Sequence, residues 1–343
     1  MTLEEQIEVE LQKLEPALRQ SISDAIKDLQ SGVMIAAVID ALQNNDIEKA
    51  IDLLNIDPIA FQWYNEGLRN VMITIGAIVA SAIPNLRSPQ GRLVYFRFNP
   101  QDKALDKWFD MYRQGNINSF MTTINENVRS TIVAGQSIGR TPKQIAYDIF
   151  GLWNGVDQTR DGSVFGLSSS NLETVLKVQK NLFANDKDGL KHYLTLTRRD
   201  PTFDEIVNEA IRTGKKININ TVSTIVTMLK MNYERLRTDS IASSQASIVA
   251  NTVKDYTYRQ SITRASLSDS NIEREWVSMR DDDVRHTHQG LDGQKKSGFD
   301  EPFVSASGAL MRFPGDTSLG AGLDEILGCR CRARYGFKAS EWL

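Results

Sequence analysis

The chain has little that would staple, anchor or steer it. Among 343 residues there are only two cysteines, Cys329 and Cys331. A bridge between cysteines two apart would close a very tight ring, and in an extended segment it would set their Cα atoms near or beyond the roughly 7 Å a disulfide tolerates. That argues against a disulfide framework and leaves free thiols or metal ligands. Charge of one sign is also missing. With 40 basic and 43 acidic residues the formal charge is -3, so there is no overall basic excess of the kind that marks a nucleic-acid-binding domain, and any DNA contact has to be local. The opening M-T-L-E-E-Q-I-E-V-E lacks the basic and apolar regions of a secretory signal, which points to a cytoplasm. No apolar run reaches the roughly 18 residues that span a bilayer. The longest, Val71 to Ile83, has 13 residues and reads as a buried helix, with membrane insertion the weaker alternative. No repeat at a period of 20 to 50 residues is visible, so a solenoid has no support.

What the chain does have is helical periodicity. Leu3, Ile7, Leu11, Leu14, Leu18, Ile22, Ile26 and Leu29 recur at spacings of three and four and form one stripe, which Pro16 is expected to kink or split. Ser31-Gly32 punctuates before a helix from Val33 to Leu42. Asn44, Asn45 and Asp46 offer caps for Ile47 to Leu54, and Asp57-Pro58 opens the helix that carries the apolar run to Ile83. R-L-V-Y-F-R-F, 92–98, is rich in β-formers and reads as a strand or an extended crossing segment. The helical period returns over 103–135, Thr141-Pro142 caps a short helix over 142–153, and 155–166 reads as a loop. Helices are then expected near 169–184, 187–197 and 202–212. The longest begins near Asn220 and runs to about Tyr258; its second half, S-I-A-S-S-Q-A-S-I-V-A-N, has the small residues that suit close packing between helices or subunits.

After a serine-rich break at 266–270 the texture changes. Residues 271–343 hold nine glycines, both cysteines, two of the three histidines and short β-like runs. The expected fold is therefore mainly α: an elongated multi-helix body over 1–265, with sub-lobes 1–84 and 101–265, followed by a small α+β module over 271–343. A core of about 70 residues usually needs a staple. Zinc takes four ligands from thiolate, imidazole and carboxylate, and two cysteines two apart can aim at one ion. Cys329, Cys331 and His288, completed by His286 or a nearby aspartate, are the candidate ligands of a structural zinc. The alternative is that the thiols are small buried hydrophobes and the histidines make ordinary hydrogen bonds. Asp281 to Asp283 with His286 and His288 also admit a catalytic metal site, although an acidic turn balanced by Arg280 and Arg285 accounts for them without one.

The order of residues in this module resembles a known family. W-V-S-M-R-D-D-D-V-R-H-T-H-Q-G-L-D-G from Trp276, then Phe299, M-R-F-P-G-D at 311–316 and L-G-C-R-C at 327–331 resemble the C-terminal signature of the head-morphogenesis family named after protein F of phage Mu. The match covers about 60 residues and falls on Trp276, Asp281, Val284, Arg285, His288, Leu291, Asp292, Gly293, Phe299, Pro314, Gly315, Asp316, Cys329, Arg330 and Cys331. Asp283 stands where family members often carry Arg, and Gly328 replaces the usual Asn. Some relatives place a Cys-x-x-Cys pair where this chain has Arg285 and His288, which leaves one ligand fewer here.

The resemblance implies a minor head protein of a tailed bacteriophage. It would be present in few copies at the portal vertex or head interior and in the host cytoplasm during assembly, binding the portal protein or the major capsid or scaffold protein. It would aid head assembly and genome packaging or delivery, and would not be an enzyme. Two basic groups are candidates for local DNA contact: Arg87, Arg92 and Arg97, or Arg330, Arg332 and Arg334. The rival reading is a metal-dependent nuclease or other enzyme built on His286, His288 and the aspartates.

Overall fold

The computed structural model describes residues 1–54 and 56–338. The protein is mainly α with a small C-terminal α+β part. In chain order the helices are α1 (Leu3–Ser31), α2 (Ile35–Gln43), α3 (Ile47–Asp52), α4 (Gln62–Ala82), α5 (Lys103–Ser137), α6 (Pro142–Phe150), α7 (Ser169–Ala184), α8 (Lys187–Thr195), α9 (Asp204–Thr213), α10 (Ile219–Ala265), α11 (His286–Gln289) and α12 (Leu323–Ile326). The strands are β1 (Leu86–Arg87), β2 (Leu93–Val94), β3 (Leu152–Asn154), β4 (Thr159–Asp161), β5 (Ile272–Val277), β6 (Lys295–Ser297), β7 (Phe303–Val304), β8 (Leu310–Met311) and β9 (Arg332–Phe337).

Local rules account for most of these ends. Thr141 and Gln144 form a reciprocal capping box with Pro142 in the first turn of α6, Asp46 caps α3 through the Lys49 amide, and Asp186 caps α8 through the Gly189 amide. Pro16 neither splits nor ends α1, which runs on to Ser31. Both Pro16 and Gln12, whose carbonyl loses its helical donor, are exposed, so water can satisfy that carbonyl and the buried Leu11, Leu18 and Ile22 hold the helix on both sides. Of the segment 92–98, expected as a strand or an extended crossing segment, only Leu93–Val94 pairs, against Leu86–Arg87. The loop expected at 155–166 contains the second strand of a hairpin, β3 with β4.

Two compact units are present, and their boundary does not fall at residue 265. Unit 1 comprises 1–21, 64–113 and 240–343; unit 2 comprises 22–63 and 114–239. In unit 1 the buried core includes Ile7 and Leu11 of α1, Leu68, Met72 and Ile75 of α4, Phe109 of α5 and Val249 and Val253 of α10. Gly76 is required where the Phe98 ring crosses α4, since a Cβ there would stand 2.3 Å from the ring. A buried ion pair joins α10 to α1, Lys254 Nζ to Glu4 Oε1 at 2.7 Å.

The C-terminal module belongs to unit 1 because α10 forms part of its floor. Its sheet is antiparallel in the order β6-β5-β9, with Trp276 opposite Ala333 and Glu275 opposite Lys295. Tyr335 of β9 stacks on Tyr258 of α10 at 4.7 Å, and its hydroxyl donates to buried Asp255 at 2.8 Å. In unit 2, Asn127 donates to the Val164 and Leu167 carbonyls at 3.0 and 2.8 Å, and buried Lys230 donates to the Asp148 carbonyl at 2.5 Å.

Candidate metal centre

Three of the four expected ligands meet. The ligand atoms of His288, Cys329 and Cys331 all lie within 4.8 Å of one another, and all three residues are buried. His288 Nδ1 is 3.5 Å from Cys329 Sγ and 3.9 Å from Cys331 Sγ. A tetrahedral zinc, with Zn–S near 2.3 Å and Zn–N near 2.0 Å, sets a sulfur and a nitrogen ligand roughly 3.6 Å apart. The observed separations match that edge, so the cluster can hold a metal ion. Both cysteines are free thiols.

His286 does not join them. It is exposed at the first position of α11, two residues before His288, and residues two apart on a helix point to different sides. Nor do the aspartates. Asp281 and Asp283 meet Arg330 at 2.8 and 3.4 Å, and among the described residues the only group of three or more suited to a metal is the His-Cys-Cys cluster. Asp283 does line the small cavity, about 20 Å³, that touches His288 and both cysteines.

The other face of His288 is held by a residue the sequence reading missed. Its Nε2 contacts Glu325 Oε2 at 2.7 Å, with both side chains buried. Glu325 also accepts from Thr287 Oγ1 at 3.0 Å and from the Ser307 hydroxyl. A carboxylate beside Nε2 favours the ring proton there, although that N–H is not well aligned on Glu325, and turns Nδ1 toward the sulfurs, the arrangement that orients a histidine ligand. The signal for it was the L-D-E-I run just before C-R-C, because a buried ligating histidine needs an acceptor for its second nitrogen.

The titration behaviour agrees. The Cys331 thiol beside it holds the Cys329 thiol well below the usual range, against burial and with help from His288. Cys331, next to that thiolate, is pushed far up. Burial opposes a charged His288, but Cys329 and Glu325 outweigh it and raise the imidazole. Burial likewise opposes Glu325 ionisation, and the Ser307 and Thr287 hydroxyls with His288 overcome it. Holding a metal would need both sulfurs as thiolates, so binding one would release protons.

The remaining motif residues shape the surroundings. Trp276 is fully buried and packs edge-on against His288 at 5.2 Å and Phe303 at 5.3 Å. Its indole N–H has no well-aligned partner, yet it acts to lower the Cys331 thiol against the larger effects of Cys329 and burial. Arg285 donates to the Glu325 and Leu327 carbonyls. Asp292 accepts from the Ser278 amide and from Arg280, both at 2.8 Å, and Gly293, at φ +78°, donates its amide to the Trp276 carbonyl at 2.8 Å. Asp316, behind buried Pro314, accepts from the Arg312 and Ser318 amides at 2.9 Å. Gly315, at φ +86°, passes close to Ile248. Leu291 and Phe299 are buried, Val284 half-buried.

Two further supports carried no sequence signal. Arg274, 0% exposed, donates to three loop carbonyls, those of Gly298 at 2.5 Å, Glu301 at 2.6 Å and Arg312. The small residues of α10, expected to serve helix packing, present hydrogen-bonding groups to C-R-C. Ser244 Oγ accepts from the Gly328 amide at 2.8 Å, while Ser247 Oγ and Asn251 Nδ2 donate to the Cys329 and Cys331 carbonyls at 3.1 Å. Comparison with protein-family models, with curated proteins and with solved structures gave no match for this chain.

Proposed function

We propose that the protein is a minor head protein of a tailed bacteriophage, of the kind named after protein F of phage Mu, and that it acts as a structural component rather than a catalyst. The observation that carries the reading is the work done by the residues behind the resemblance. Trp276, Arg285, Asp292, Gly293, Asp316, Arg330 and the C-R-C pair lie in one module, and they pack, cap turns or hold main-chain carbonyls. A motif whose members all position one another is a folding signature. The cavity at the cluster, about 20 Å³, has room for about one water and not for the several hundred Å³ of a substrate site.

In this reading zinc is the resident ion, held by His288, Cys329 and Cys331. Its contribution is folding energy, by tying C-R-C to α11. The portal protein, or the major capsid or scaffold protein, is the partner, and the virion head or portal vertex is the location. No helix among the described residues is long and apolar enough to cross a membrane, and the reading needs none.

Quantitative mass spectrometry of purified, DNA-filled particles of the source phage, with empty proheads alongside, tests it. The protein is expected in both, at a few copies per portal. Absence from both would remove the head-protein reading.

A further inference from the structure

The two basic groups that the sequence offers for anion contact have different fates. Arg330, Arg332 and Arg334 are all consumed by ion pairs, to Asp281, to Glu8 and to Glu275. Arg87, Arg92 and Arg97 are exposed, and none of their guanidinium groups is paired with a described residue. Arg97 lines a cavity of about 630 Å³ in unit 1, together with Arg264 near the end of α10, which is also exposed and in no ion pair with a described residue.

The other charges of that cavity are already met. Arg259 is bound to Asp255 at 2.6 Å and to Asp300 at 3.1 Å and stacks on Phe299. Asp102 caps α5, accepting from the Ala104 and Leu105 amides at 3.0 and 3.1 Å. Arg97 and Arg264 therefore keep guanidinium groups that are in no ion pair with a described residue. Beside them stands Tyr95, a residue 70% exposed. The segment carrying Tyr95 and Arg97 is held in place, since Gln260 of α10 accepts from the Asn99 amide at 3.1 Å and donates to the Asn99 carbonyl at 3.2 Å.

An aromatic face on a fixed segment, two unpaired guanidinium groups and a cavity in the ~300–1,000 Å³ range of ligand sites match one chemistry, an aromatic base joined to phosphate. We propose that this cavity binds a nucleotide unit, with its base stacked on Tyr95 and its phosphate drawn to Arg97 and Arg264. The unit comes either from a single strand of nucleic acid or from a free nucleoside phosphate. The inference rests on unit 1 alone and does not depend on the phage reading.

The test uses the full chain and fluorescence anisotropy with a labelled twelve-residue oligothymidylate, with thymidine monophosphate, inorganic phosphate and an oligoglutamate peptide as competitors. The wild type should bind the oligonucleotide, and Tyr95→Ala and the double variant Arg97→Ala/Arg264→Ala should each weaken it about 10-fold or more, the effect of losing a base stack or a phosphate contact. The dependence of log affinity on log salt should have a slope of about -0.7 for the one phosphate and flatten in the double variant. These side chains are exposed, so circular dichroism and melting should match the wild type, and Arg113→Ala should leave binding unchanged. Competition by the mononucleotide as strong as by the unlabelled oligonucleotide would assign the free nucleotide; competition about 100-fold weaker would assign the strand. Absence of binding, affinity indifferent to both variants, or equal competition by phosphate or oligoglutamate would each overturn the proposal.

Discussion

The hydroxyl of Ser247 donates to the main-chain carbonyl of Cys329 at 3.1 Å and accepts from Arg332 at 2.5 Å. A small residue in the middle of a long helix thereby fixes the backbone of a candidate metal ligand and orders the arginine that reaches Glu8 of α1 at 2.7 Å. The C-R-C segment is held by α10 independently of any ion.

That relationship sets the first prediction. Ser247→Ala should cost about 1–3 kcal/mol, because it removes two hydrogen bonds and leaves the buried Cys329 carbonyl short of a donor, while Arg332 keeps its bonds to the Arg330 and Cys331 carbonyls. Urea unfolding of the two proteins checks it. A change within about 0.5 kcal/mol, the usual range of a neutral surface substitution, would show that the helix does not carry the segment.

Metal content is the second. Purified protein should carry close to one equivalent of zinc by elemental analysis, and Cys329→Ser, Cys331→Ser and His288→Ala should each lose most of it. His286→Ala should keep it, since that ring lies outside the cluster. Adding zinc at about 1,000 times its dissociation constant should stabilise the apo protein by about 4 kcal/mol, and a chelator should reverse the gain. Zinc retained by the double cysteine variant would place the ion elsewhere.

Arg274 is the third. Arg274→Lys keeps the charge but cannot span the three carbonyls of Gly298, Glu301 and Arg312, so the loss should be about 3 kcal/mol. Trp276 emission should shift to longer wavelength as the loops around it loosen. An unaltered melting curve and spectrum would mean that the loops stand without it.

The fourth concerns alkaline pH and unit 2. Burial pushes the Lys230 ammonium down from 10.5 to about 8, against the pull of Asp148. Below pH 8 the folded and unfolded chains both carry the proton, and the folded state bears the cost of a buried charge. Between about pH 8 and 10.5 the folded state releases it while the unfolded state keeps it, so the unfolded state binds more protons and stability rises with pH. The gain from this one residue should be about 3 kcal/mol. Measured as the difference between wild type and Lys230→Met in urea at a series of pH values, it should appear as a slope confined to that window. Parallel curves would show that Lys230 does not titrate there.

Elements set by local rules were legible. The stripe of Leu3 to Leu29, the Thr141-Pro142 cap and the α7 helix at 169–184 each depend on neighbours three or four residues away, and the structure carries them at or near the expected positions. The change of texture near 270 also marks a real change, from the end of α10 at Ala265 to the first strand of a sheet at Ile272. The boundary of the compact units was not legible, because the module stacks on and hydrogen-bonds to residues 240–265 of α10 and is ion-paired to α1.

By itself the sequence determined that two thiols two apart and a nearby pair of histidines would share a small, glycine-rich module. Only the tertiary structure decided which histidine meets the sulfurs. In an extended segment His286 and His288 would face the same way, but four residues of helix turn them apart. Tertiary structure also decided which arginines are paired, since Arg330, Arg332 and Arg334 find carboxylates 45 or more residues away in the chain or on a neighbouring strand, and Arg97 and Arg264 find none among the described residues. Helix period and capping are properties of a few consecutive residues. Ligand sets and ion pairs join residues that the chain brings together only after it has folded.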